Sequence, residues 1–188
     1  MTAQQRPPVF DVHIRPMFRL LDREHMMTLA TPPIDLWDLD AVWAERGDIL
    51  ARVRGEGSQN MPGVQVGGPW PPEWVTLFER WLATGSDVEP GHHLVLAKPD
   101  GPYKVRTLSG NRRRLTATVI APTDGCRVWF ELDSVSSGQR NYTLHLEPAF
   151  PSQPADPTPL QAIDPFMKGD ATKVVIRDAD GTQEVPIP

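Results

Sequence analysis

The sequence predicts an α+β chain in which three short helices precede an antiparallel β-sandwich. Three observations carry this. Apolar residues recur at helical spacing up to about residue 86, and five of the six Trp lie between Trp37 and Trp81. From His92 onward, apolar and polar residues partly alternate along short β-branched runs separated by turn residues. A change of period from 3.6 to 2 marks a change of architecture. The expected boundaries are 9–86 for the helical domain and 91–188 for the sandwich-like one.

The first helix is expected from about Ile14 to Leu29. Ile14, Met17, Phe18, Leu21, His25 and Met26 form one stripe, and Pro16 is tolerated in the first turn. Thr31-Pro32-Pro33 stops it. The second runs from about Leu39 to Val53, with Asp38 as N-cap and Gly55-Glu56-Gly57 as terminator. The third opens at Pro71-Pro72-Glu73, places Trp74, Leu77, Phe78, Trp81 and Leu82 on one face, and closes at Gly85. Helices this short must pack on one another to be stable.

Seven strands are expected in the second half: His92–Ala97, Tyr103–Leu108, Leu115–Ala121, Arg127–Leu132, Tyr142–Glu147, Lys173–Arg177 and Gln183–Ile187. Their spacing suits a small antiparallel sandwich or barrel. The Pro-rich stretch 148–165 reads as a loop, or as a strap over the helical half.

Composition narrows the function. A net charge of −5 argues against nucleic acid, which demands a basic face. The dense run Arg112-Arg113-Arg114 reads as a solvated turn and strand start rather than a phosphate or partner patch. The single cysteine, Cys126, rules out an intrachain disulfide and reads as a small buried hydrophobe. No apolar run nears the ~20 residues of a membrane helix, and the N-terminus lacks a signal-peptide h-region. The expectation is a cytoplasmic protein with no membrane and no nucleic-acid partner.

Phe10-Asp11-Val12-His13-Ile14-Arg15-Pro16-Met17-Phe18 resembles the opening helix of bacterial cytochrome c domains. Where that family carries Cys-x-x-Cys-His, this chain has Leu21-Asp22-Arg23-Glu24-His25, keeping the His and losing both Cys. Asn60-Met61-Pro62-Gly63 resembles the family's second axial-ligand segment, and Gly68 to Gly85 its closing helix. The resemblance spans about residues 9–86 and implies a cytochrome c-like frame that cannot form thioether bonds to haem. Trp and other apolar side chains are expected to fill the former haem space, so no cofactor is expected. The alternative is non-covalent haem b with His25 and Met61 as axial ligands.

Other candidate groups are weaker. His92 and His93 are adjacent, so on a strand they point to opposite faces. One of them could join His145 on a neighbouring strand, but no third ligand is evident; a site between the halves would draw on His25, His92, His93, His145 and Asp133. Asp35, Asp38 and Asp40 surround Trp37, and helix entry accounts for them better than calcium. No metal site and no catalytic constellation is evident. The leading expectation is a non-catalytic accessory or protein-interaction module, a subunit of a larger, oxidoreductase-type assembly. Trp70, Pro71 and Pro72 are its expected partner-binding surface. The alternatives are a redox protein using the former haem cavity and an enzyme with a site at the domain junction. Oligomeric state is left open.

Overall fold

The computed structural model describes residues 6–56, 61–62, 69–136, 138–151 and 154–188. The chain divides into two compact units, Met1–His93 and Leu94–Pro188.

The helical unit opens with a π-type turn over Phe10–Ile14 and a 3-10 turn over Arg15–Met17. Helix α1 follows over Leu20–Leu29, then α2 over Leu39–Ala44, α3 over Arg46–Val53 and α4 over Pro72–Leu82. The first expected helix is thus broken at Pro16, which sits inside the 3-10 turn. The second is split at Glu45, whose backbone leaves the helical region. Asp38 caps α2, its Oδ1 accepting from the Ala41 N–H at 2.8 Å.

Aromatic rings build the core of this unit. Trp81 is fully buried and packs on Phe10, Trp43 and Phe78 with ring centroids 5.3–5.5 Å apart. Phe18 and Trp70 continue the stack at 5.2 Å. Two glycines permit this packing. A Cβ on Gly91 would lie 2.7 Å from the Trp81 carbonyl oxygen and 2.8 Å from its Nε1. One on Gly85 would penetrate the Trp43 ring.

The β unit is a two-sheet sandwich, as its alternation predicts. One sheet orders β2 (Lys104–Ser109), β3 (Arg112–Thr123) and β6 (Pro154–Met167), all antiparallel. The other is centred on β5 (Gln139–Glu147), with β4 (Arg127–Ser136) along one edge. The opposite edge of β5 is shared by β1 (Val95–Leu96) and by β7 (Lys173–Asp178), and β8 (Gly181–Pro186) completes the sheet. The β5–β7 pairing is parallel, the one departure from an antiparallel plan. Leu115, Leu144, Val174 and Ile176 are fully buried between the sheets. Tyr103, Phe130, Tyr142 and Phe166 stack in series across the interior at 6.0–6.4 Å.

Two strand expectations are corrected. Of the expected 92–97 strand, only Val95–Leu96 forms a strand, with the Ala97 N–H adding one bond to the Leu144 carbonyl. The His92 backbone is instead committed to the helical unit: its N–H donates to Thr84 Oγ1, and its carbonyl accepts from Phe10 N–H and Trp81 Nε1. The Pro-rich stretch expected as a loop over 148–165 is largely β6, a strand of 14 residues. Proline lacks an N–H and is admitted to strands only where no donor is needed. β6 is an edge strand paired to β3 alone, and Pro157, Pro159 and Pro165 fall on one parity. Their missing donors face the open edge, so the β3 ladder is kept.

Candidate binding face

Within each unit, and among the described residues, the side chains singled out from sequence do not gather into one cluster. His25 lies on the exposed side of α1, whose buried residues are Asp22 and Met26. The expected stripe is therefore corrected at Leu21 and His25, which both face outward. Met61 is buried in the aromatic core with Trp43, Trp70 and Trp81. Among the described residues His25 is exposed and Met61 is buried, so the two side chains do not share one enclosed space. Asn60 and Gly63 lie outside the described residues.

Trp70, expected as a surface anchor, is 6% exposed and wedged between Phe18 and Phe78. Burying so large a ring against other rings outweighs any exposed role. Pro71 and Pro72 stay at the surface as the start of α4, and Trp74 is the exposed indole of that turn. Asp35 forms a two-pronged pair with Arg23 at 2.6 Å, and that guanidinium lies 4.6 Å over the Trp37 ring. The pair holds the Asp35 carboxyl below the usual carboxylate range. With Asp38 used as a cap, only Asp40 of the three is left to solvent.

His93 Nδ1 lies 3.0 Å from the Gly91 carbonyl. In the β unit, His145 Nε2 pairs with Glu131 at 2.9 Å, and Asp133 accepts from Thr143 Oγ1 at 2.8 Å. Cys126 is buried with its Sγ 3.2 Å from Thr123 Oγ1. These are pairings of neighbouring side chains within one sheet or turn, without a nucleophile–base–acid order.

The notable surface is the outer face of the β2–β3–β6 sheet, built by the run Arg112-Arg113-Arg114. Strand alternation divides it. Arg113 turns inward, is 8% exposed, and donates to the carbonyls of Gly110, Arg112 and Pro188. Arg112 and Arg114 turn outward. The hairpin loop Gly110-Asn111, with Gly110 at φ +50°, pairs Ser109 with Arg112, and the bulge at Leu108 shifts the register by one residue so that Arg106 lies directly opposite Arg114. Lys104 lies one outward position further, opposite Thr116.

All four cations are exposed, and among the described residues none enters an ion pair. Beside them, the outward positions of β6 are Pro159, Gln161, Ile163, Pro165 and Met167, none acidic. Ile163 and Met167 are 51% and 56% exposed. The face therefore consists of a basic band over β2 and β3 and an apolar band along β6, with Leu108 at the β2 bulge closing one end. No acid and no aromatic ring lies in the rows from Arg112 to Thr116.

Sequence reading missed this face because it treated the Arg run as a local feature. The signal was present: outward parity in Lys104, Arg106, Arg112 and Arg114 around a Gly-Asn loop. No protein-family model, no curated protein and no solved structure matches this chain. Among the described residues, no helix is long and apolar enough to cross a membrane.

Proposed function

We propose that this chain is a non-catalytic interaction module that engages a protein partner through the basic outer face of the β2–β3–β6 sheet. The observation that carries this reading is Arg106 set directly across from Arg114, with no carboxylate in the exposed rows from Arg112 to Thr116. Like charges directly opposite cost stability in an isolated sheet. An anionic partner reverses the sign of that term. Arginine is also enriched among the side chains that anchor protein interfaces. The acid excess of the chain falls wholly in residues up to His93, and the remainder carries equal numbers of acids and bases. A basic face on so balanced a unit favours one oriented contact over general adhesion to polyanions.

The cytochrome c resemblance enters here as ancestry only. The order of His25, Met61-Pro62 and the Pro71-Pro72 helix start supports it, and we read the helical unit as a haem-less frame. An accessory role beside a larger enzyme is consistent with that history.

Co-purification from the native host tests the function, comparing wild type with Arg106→Glu/Arg114→Glu. The expected result is a stoichiometric partner with wild type at low salt, released as ionic strength rises, and none with the variant. Circular dichroism checks that the variant is folded. Recovery of wild type alone under gentle conditions, or a partner equally retained by the variant, overturns the reading.

A further inference from the structure

We infer that the ligand of this face is an acidic amphipathic helix of the partner, lying along the strands with carboxylates over β2–β3 and apolar side chains over β6. The inference rests on the proposed interaction function and names the chemistry of its partner. Three features of the face select it.

The first is lateral segregation. Across the sheet the rows read Ser109, Arg112, Met167, with Leu108 in the bulge beside them; then Arg106, Arg114, Pro165; then Lys104, Thr116, Ile163. Charge and apolar surface are thus side by side rather than mixed. A bare polyanion would use only the basic band, leaving Ile163 and Met167 uncovered.

The second is width. Three strands spaced about 4.8 Å apart present a face about 10 Å across. That matches the 10–12 Å diameter of a helix, whose two lower flanks reach both bands at once. An extended strand presents a single line of side chains to the surface below it and cannot serve both.

The third is length. The three rows from Met167 to Ile163 span about 14 Å, which is between two and three helical turns. A helix with Leu at i, i+4 and i+7 and Glu at i+1, i+5 and i+8 places its two stripes on adjacent flanks. Single-stranded nucleic acid, by contrast, is held by stacking on aromatic rings, and this face has none.

The test uses the full chain and four probes: a fluorescein-labelled helical peptide with that Leu/Glu pattern, an oligo-Glu peptide of equal charge, duplex DNA, and phosphatidylcholine vesicles with and without phosphatidylserine. Arg106→Gln/Arg114→Gln and Ile163→Gln/Met167→Gln are compared with wild type by fluorescence anisotropy and co-sedimentation. The Leu/Glu helix is expected to bind best, and each variant pair to weaken it by about tenfold or more. Oligo-Glu should bind more weakly and respond only to the Arg pair.

Equal binding of oligo-Glu, or indifference of the Leu/Glu helix to the Ile163/Met167 pair, overturns the helix in favour of charge alone. Binding confined to anionic vesicles or to DNA reassigns the face to a lipid surface or nucleic acid and likewise overturns it. If no probe binds while the co-purified partner still depends on Arg106 and Arg114, the inference fails and the interaction function stands. Loss of both removes both.

Discussion

Tyr142 donates its phenolic hydrogen to Asp164 Oδ2 at 2.8 Å, joining the two sheets from within. The phenol is 1% exposed, and Arg140 Nε donates to its oxygen at 3.2 Å. Tyr103 makes a second link of the same kind, donating to Asp178 at 2.6 Å. Burial pushes the Tyr142 phenol up to about 12, and burial with the Asp178 bond pushes Tyr103 upward as well.

These are the only two tyrosines in the chain, so tyrosinate absorbance reports on nothing else. A raised folded value means that the folded state holds its proton while the unfolded chain releases it above 10. The stability this lends is complete below pH 10 and is lost as pH rises toward 12. Tyrosinate absorbance near 295 nm should therefore stay low past pH 10 and appear only near pH 12 or with unfolding. Early absorbance of one full tyrosine would contradict the Tyr142–Asp164 bond.

The helical unit should weaken in acid. His92 is 8% exposed, and burial lowers its pKa from 6.5, with His93, Arg6 and His13 adding positive charge nearby. The unfolded chain takes up a proton below 6.5 that the folded chain resists, so stability falls as pH drops through that value. Urea midpoints followed by tryptophan fluorescence should decline between pH 7 and 5. His92→Gln should flatten the slope.

Gly91→Ala should be among the most damaging small substitutions. Its Cβ would meet the Trp81 carbonyl and indole below 3 Å, and both are fixed by the core. The expected loss is about 1–3 kcal/mol or more, measured by denaturant unfolding. Gly101→Ala, at a turn position open in space, supplies a control in which only its positive φ is strained.

Replacing Pro157, Pro159 and Pro165 together with Thr should keep the β3 pairing and expose donors along the β6 edge. Concentration-dependent association is expected, visible by light scattering and blocked in wild type. A monomer at all concentrations would show that β6 needs no such guard.

The legible parts of the sequence were those decided locally. The α4 face, the Asp38 cap and most strands follow from periodicity and turn chemistry. What escaped was set by neighbours distant in sequence. Proline reads as a breaker until a strand is known to be an edge, and nothing in 154–167 announces that. Trp70 looks like a surface anchor until Phe18 and Phe78 close on it. Arg106 and Arg114 are eight positions apart, and it takes the bulge at Leu108 as well as the two-residue loop at Gly110-Asn111 to make them partners.

The division of Arg112-Arg113-Arg114 has a consequence for assembly of the sheet. A slip of β3 by one residue would turn Arg112 and Arg114 inward and expose Leu115, Ala117 and Val119. The interior offers one guanidinium's worth of carbonyl acceptors, and Arg113 occupies them. With Arg113 turned out, its acceptors could serve one of the two turned-in guanidiniums at most, and leaving the other without partners is prohibitive in a dry interior. The triplet thus acts as a key that admits a single alignment, and the same alternation that aims two charges outward prevents the strand from settling anywhere else.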